Sequence, residues 1–300
     1  MGCRLIAIAM VFGCTGAFAA SLGTDITYFD NRVGSSSNST NNSWWNGGTP
    51  DSRVNGGLDV GEDQEVEPGA TPGQKWDLEG MYLTDSGVLS LVGGYDFEDG
   101  QDGYRSGDIF LSVNPTFAST NTPGSIEPPN SSGAGYNYVI DITPAVYSGG
   151  GTYTVYAITG LTVGTGLVGT NTFSQSNPWR LDYHYIPNLT VVASGTFDMD
   201  TYKTDAALAS AYTNFSSGYV PQGAGNTTDY YNHYVLSGFD LSSFLNLDEV
   251  CVYAHYTMEC GNDVLTGYLP CAPVPEPATL LVLGMGLAGL AAKRRFGKAA

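Results

Sequence analysis

The chain has 300 residues, with 29 Asp+Glu against 11 Lys+Arg and a formal net charge of −18. Such an acidic balance argues against nucleic acid and anionic lipid as partners of the folded part, because like charges repel. Gly (40) and Tyr (20) are abundant, a composition of glycine turns between aromatic and β-branched strands.

Met1–Ala19 opens with one basic residue, Arg4, then apolar Leu5–Phe12 and the small-residue site Ala17-Phe18-Ala19. This is the layout of a Sec-type signal peptide cut after Ala19, and it makes the Sec translocon the first expected partner. Val11-Phe12-Gly13-Cys14 approaches a lipoprotein cleavage box, but bulky Phe12 stands where a small residue is preferred. With leader and tail set aside, residues 20–272 hold 6 Lys+Arg against 28 Asp+Glu, a net charge of −22. A stretch of about 250 residues is ample for a hydrophobic core. Its charge favours solubility, divalent cations and a hydrated matrix.

Residues 20–74 read as a polar, acidic strap with loops. Gly34–Gly57 is mostly Ser, Asn, Gly and Thr and keeps neither the helical nor the strand period. Its Trp44-Trp45 pair either pins the strap to the body or offers a face to a sugar ring. Asp59–Pro68 is an acidic solvated loop.

A β domain is expected over residues 75–272. Met81–Thr84, Val88–Val92, Asp108–Val113, Tyr136–Ile142, Tyr153–Ile158, Leu181–Ile186, Leu189–Phe197, Tyr230–Leu236 and Glu249–Met258 read as strands between turn residues. Tyr136, Tyr138, Ile140 and Ile142 share one face, with Asn137 and Asp141 on the other; Val250, Val252, Ala254, Tyr256 and Met258 form a second such stripe. Asp205–Tyr212 reads as the one helix, and Asp240–Asn246 as a single helical turn. Many short strands without alternating helices predict a mainly β fold, an antiparallel, jelly-roll-like β-sandwich.

The chemistry offered by this domain is sparse. Gly164-Thr165-Gly166-Leu167-Val168-Gly169 fits G-x-G-x-x-G, but Thr170–Trp179 is not helical, so the motif reads as a hairpin. His184, His233 and His255 each precede a tyrosine, and Asp182 with His184 on one strand could orient an imidazole. Asp96, Glu98, Asp99, Asp102 and Asp108 place five carboxylates in 13 residues among Gly100, Gly103 and Gly107. They are the candidate calcium ligands, although the spacing is not that of an EF-hand and a solvated acidic turn is the competing reading. The mature cysteines are Cys251, Cys260 and Cys271. Cys251 and Cys260 stand too far apart along one strand to bridge, so Cys260–Cys271 is the expected disulfide and Cys251 a buried thiol.

At the end come Val274-Pro275-Glu276-Pro277, the apolar run Ala278–Ala292, and the basic cluster Lys293, Arg294, Arg295 and Lys298. Fifteen residues of helix reach about 22 Å, short for a bilayer, and the basic residues keep the tail cytoplasmic. This order resembles the PEP-CTERM sorting signal of Gram-negative bacteria, over residues 274–300; a plain C-terminal membrane anchor is the competing reading. The resemblance implies that Pro275, Glu276 and Pro277 are the recognition motif of an exosortase. It also implies retention in the inner membrane until processing, then a place at the cell surface or in exopolysaccharide matrix. Gly93-Gly94-Tyr95-Asp96-Phe97, Ser106–Leu111 and His255–Asp263 are similar to stretches of other exported proteins with this signal, which imply no activity. The expectation is a non-catalytic structural or carbohydrate-binding module needing no cofactor; the alternative is an extracellular polysaccharide hydrolase.

Overall fold

The computed structural model describes residues 20–27, 74–115, 134–144, 149–202, 205–213 and 233–271. The expected leader 1–19, the strap with Trp44 and Trp45, the acidic loop 59–68 and the terminal signal 274–300 lie outside the described residues. Among those described, no helix is long and apolar enough to cross a membrane.

In chain order the strands are β1 (Thr24–Asp25), β2 (Leu78–Leu83), β3 (Val88–Gly93), β4 (Ile109–Val113), β5 (Tyr138–Pro144) and β6 (Gly150–Ala157). They continue as β7 (Thr162–Val163), β8 (Gly166–Val168), β9 (Arg180–Leu181) and β10 (Thr190–Tyr202). Helix α1 (Asp205–Ala211), β11 (His233–Asp240), β12 (Val252–Thr257) and β13 (Val264–Leu269) complete the described fold. The predicted helix is present as α1, and the predicted helical turn appears as a 3₁₀ turn at Leu241–Ser243.

Ten strands form one antiparallel sheet in the order β1-β2-β3-β11-β10-β6-β5-β4-β12-β13. The expected two-layer, jelly-roll-like sandwich is therefore replaced by a single continuous sheet. Twist accumulates across so many strands, and bulges at Leu78/Gly80, Val191/Ala193 and Ser237/Phe239 bend it further. The sheet curls until one core takes side chains from nearly every strand. Met81, Leu91, Ile109, Leu111, Ile140, Val155, Phe197, Leu236, Ala254, Tyr256 and Leu265 all belong to it. The stripe Val252, Ala254, Tyr256 and Met258 lies in this core, as its alternation predicts. In the other stripe Tyr138, Ile140 and Ile142 face inward, whereas Tyr136 packs outside.

The two ends of the curled sheet meet at a seam filled by the first described residues. Thr24 and Asp25 pair with Leu83 and Tyr82 of β2. The Ile26 N–H donates to the Met81 carbonyl at 2.9 Å, while the Tyr268 N–H of β13 donates to the Ile26 carbonyl at 2.7 Å. Thr27 bridges Gly267 of β13 and exchanges bonds with Met81 through its hydroxyl. Gly267 is needed here, since a Cβ would press on the Met81 sulfur at 2.8 Å. Lower in the seam, the buried Asp263 carboxylate accepts the Leu78 N–H at 2.7 Å and the Val264 N–H at 2.8 Å. Residues 20–27, read from sequence as part of the strap, thus complete the β domain.

The outer face carries two smaller cores. Helix α1 brings Leu208, with Tyr212 just beyond it, onto Leu22, Tyr82, Val92 and Val235. A three-stranded sheet, β7-β8-β9, brings Leu167 and Leu181 onto Phe110, Val139, Tyr156 and Tyr253. Between these covers the outward residues of β10 stay exposed, among them Ser194, Thr196, Asp198 and Asp200.

The cysteine pairing differs from the sequence expectation. Cys251 is bonded to Cys271, with Cα atoms 4.1 Å apart, and Cys260 is the buried free thiol. Residues 264–269 are a strand that returns antiparallel to β12, with Val252 opposite Leu269. That register carries Cys271 back to Cys251 and leaves Cys260 at the far end of the hairpin. Non-reducing peptide mapping is expected to recover Cys251 linked to Cys271, with Cys260 alkylated only after unfolding. Cys271→Ser is expected to lower the free energy of unfolding by about 3 kcal/mol, as loops of this length predict.

Candidate functional site

Most groups that sequence reading offers for chemistry are committed to the scaffold. The Glu79 carboxylate contacts His233 Nδ1 at 3.0 and 3.2 Å, and both residues are buried. His255 is buried between the rings of Phe110 and Tyr136, with Nε2 3.0 Å from the Pro178 carbonyl. Burial pushes its pKa down to about 4 against the opposing pull of the Pro178 and Ser176 carbonyls, so it is neutral at physiological pH. His184 and Asp182 lie in a turn rather than on a strand, because β9 ends at Leu181. The Asp182 carboxylate accepts the His184 backbone N–H at 3.0 Å, which is an Asx turn. The three histidines do not converge. The Gly164–Gly169 stretch is not the hairpin expected from sequence: Gly164 and Thr165 turn the chain within two residues, and β7 and β8 then pair in parallel, Thr162 with Gly166 and Val163 with Leu167.

The five carboxylates proposed for calcium divide. Asp96 accepts the backbone N–H groups of Glu98 and Asp99, both at 3.0 Å. Asp102 lies 3.4 Å from the Lys75 ammonium at the surface. Asp108 turns away into the outer core. Among the described residues, no group of three or more His, Cys, Asp or Glu is arranged to hold a metal ion.

Asp108 instead forms a buried acid pair. Ile109 pairs with Ile140 and Phe110 with Val139 across β4 and β5. One step along the same register, Asp108 stands opposite Asp141, and Asp141 in turn pairs with Thr154 of β6. Like charges placed directly opposite destabilise a sheet unless one is neutralised. Asp108 is fully enclosed, and its oxygens accept the N–H groups of Ile142 at 3.2 Å and Leu181 at 2.7 Å. Burial, then the charge of Asp141, pushes its pKa up to about 8, against those two donors and Arg180. Asp141 is raised too, chiefly by burial, while a hydrogen bond with Asp108 and the Arg180 charge hold it down. At neutral pH the pair therefore keeps a proton, with Asp108 as its neutral member.

A cation–aromatic stack lies alongside. The Arg180 guanidinium sits 4.8 Å from the Trp179 ring centroid and 4.6 Å from that of Tyr183. Arg105 lies 5.2 Å from the Trp179 ring and pairs with Glu259 through two nitrogens, at 3.1 and 3.3 Å. Gly107 permits this crossing, since a Cβ there would collide with the carbonyl oxygens of Thr257 and Trp179. Two of the six cations of residues 20–272 are thus gathered here, each already facing an acid. The arrangement ties the β7–β9 sheet to the barrel. It leaves no oxygen of Asp108 for a substrate. Sequence reading placed Asp141 on the polar face and Asp108 in the acidic loop; only the β4–β5 register, which sequence does not show, brings them together.

A mainly β chain built on one large curled antiparallel sheet, with a short apolar run near its end in the sequence, is the class of protein these features define. A family model described as the PEP-CTERM protein-sorting motif matches residues 273–295. The chain thus carries the motif expected from Pro275, Glu276 and Pro277, and the motif implies an exosortase-dependent surface protein. No curated protein and no solved structure matches the chain.

The acid pair sets a pH dependence. Between about pH 4 and about pH 8 the folded state holds the Asp108 proton that the unfolded chain releases, so its contribution is full below pH 4 and is lost as pH rises toward 8. Asp108→Asn keeps an acceptor for one of the two backbone donors while removing the titration, so it lowers overall stability but isolates the pH slope. His255, held neutral in the fold, offsets this fall below about pH 6.5. Urea unfolding is therefore expected to show wild-type stability falling between about pH 6.5 and 8, and the Asp108→Asn slope more positive than the wild-type slope by about 1.4 kcal/mol per pH unit from pH 5 to near 8.

Proposed function

We propose that the chain is a non-catalytic structural module, delivered by Sec export and exosortase processing to the cell surface or its polysaccharide matrix. The sorting motif at residues 273–295 carries this reading. In it, the apolar run Ala278–Ala292 holds the protein in the inner membrane with the basic tail in the cytoplasm until the cut. The leader is removed after Ala19. Supporting that cut, Ala20 is already used by the fold: its N–H donates to the Ala211 carbonyl at 2.9 Å, and its carbonyl accepts the Thr213 N–H at 2.8 Å.

Among the described residues, the burial of the aromatic side chains supports a structural role over an enzymatic one. Tyr95, Tyr136, Tyr253 and Tyr256 are all buried, and Tyr183 is the large aromatic side chain that stands exposed among the described residues. Stacking on a sugar ring needs an open aromatic face, so structural support is favoured over carbohydrate binding. A cavity bounded by Phe97, Ile142, Phe197, Met199, Leu236 and Tyr256 holds about 10 Å³, room for one water. Asp108 and Asp141 brace strands, whereas a hydrolase needs two carboxyl groups open to its substrate.

Glu276 is expected to be required for processing. In the native host, wild-type protein should be shortened and leave the membrane fraction, while Glu276→Ala should remain full-length past the leader and membrane-bound. Equal shortening and release of both would refute the sorting reading. Incubation of the purified mature domain with the host's exopolysaccharide should release no reducing sugar.

A further inference from the structure

The seam that closes the barrel points to a partner. Residues 20–27 sit between the edges of β2 and β13 and bond to both. The Ile26 N–H goes to Met81 on one side, and the Ile26 carbonyl receives Tyr268 on the other. Leu22 and Ile26 are buried at 3% and 8% exposure, one in the helix-side cluster and one in the barrel core. This short segment supplies two apolar anchors and a row of backbone pairs. Without it, β2 and β13 would face each other as two unpaired edges, the arrangement that templates strand addition.

The segment is also far from its own barrel along the chain. Forty-six residues, 28–73, separate Thr27 from Gln74. A chain of that length can reach at most about 160 Å, well beyond the width of a domain this size. Chain connectivity therefore allows the closing segment of one molecule to fill the seam of another with the same hydrogen bonds and the same buried anchors. Exchange then changes no local contact, and the balance is set by concentration against the effective concentration of the tethered strand.

We propose that residues 20–27 are an exchangeable closing strand, and that their second binding partner is the β2–β13 seam of another copy of this chain. Reciprocal exchange gives a closed dimer; one-way exchange gives a chain of copies, an assembly suited to a matrix protein but independent of how the protein is sorted.

The test is light scattering after chromatography of the mature chain, refolded at about 1 μM and at about 1 mM. With the 46-residue connection holding the strand near millimolar effective concentration, the oligomer fraction should rise from under about 1% to roughly half. A synthetic peptide of residues Ala20–Thr27 at about 10 mM should return the oligomers to monomers on a second refolding, and a scrambled peptide should not. Ile26→Asp, which puts a charge in the seam, should abolish the oligomers. A chain that stays monomeric after refolding at 1 mM overturns the proposal. So do oligomers that survive the peptide unchanged, since they would use another surface.

Discussion

The structure depends on the closure of its sheet. A curled antiparallel sheet buries one face against itself, but its two end strands still hold unpaired N–H and C=O groups, and each such group left in an apolar setting costs free energy. Here the ends are not joined directly. Ile26 and Thr27 stand between them with bonds to both sides, and Asp263 satisfies Leu78 and Val264 where the segment does not reach. Every inward residue from Met81 to Leu265 shares one core only because this seam is shut. The first residues of the domain therefore matter to it more than their polar surroundings in the sequence suggest.

Closure fixes which outer surfaces need covers. Strands that alternate apolar and polar residues can leave their outer face wet, as β10 does. Strands β4, β5 and β12 carry outward aromatic and aliphatic residues as well, including Phe110, Val139 and Tyr253. The small β7–β9 sheet dries that patch, and in doing so encloses Asp108 and Asp141, which share the same outer face. Their shared proton is thus a consequence of the cover. The carboxyl of Asp108 is also what holds the cover in place, through the Leu181 N–H, so the energetic cost of burying an acid is offset by two backbone donors that would otherwise lack a partner.

How much of this was legible follows from which signals are local. The alternation in Val250–Met258 and the apolar run of β3 identified their strands, because period two survives in any partner arrangement. Asp205–Ala211 was readable from its alanines. The two-residue strands β7 and β9 were not, since they have no period. β13, Val264–Leu269, passed unread because its Thr and Gly interrupt the alternation, and with it went the correct disulfide. The sorting motif was fully legible, being defined by contiguous residues. The acid pair was hidden because it is a property of register: Asp108 and Asp141 are 33 positions apart, and a shift of one residue between β4 and β5 would turn them to opposite faces.

The seam and the sorting motif are connected through the end of β13. Cys271 is bonded to Cys251 just ahead of β12, and the motif begins at residue 273. From Cys271 to Glu276 is five residues, a reach of at most about 18 Å. Any enzyme that acts at the motif must therefore work against the wall of a folded barrel. The disulfide sharpens this constraint. Without it, β13 could detach from β12 at its open end and lengthen the tether, because its side chains are only half-buried for much of its length. With it, tension entering at residue 272 is passed to β12, whose every residue is buried and which pairs on both sides. The disulfide thus ties the strand that leads into the motif to a fully buried strand, and through it to the seam that strand helps to close.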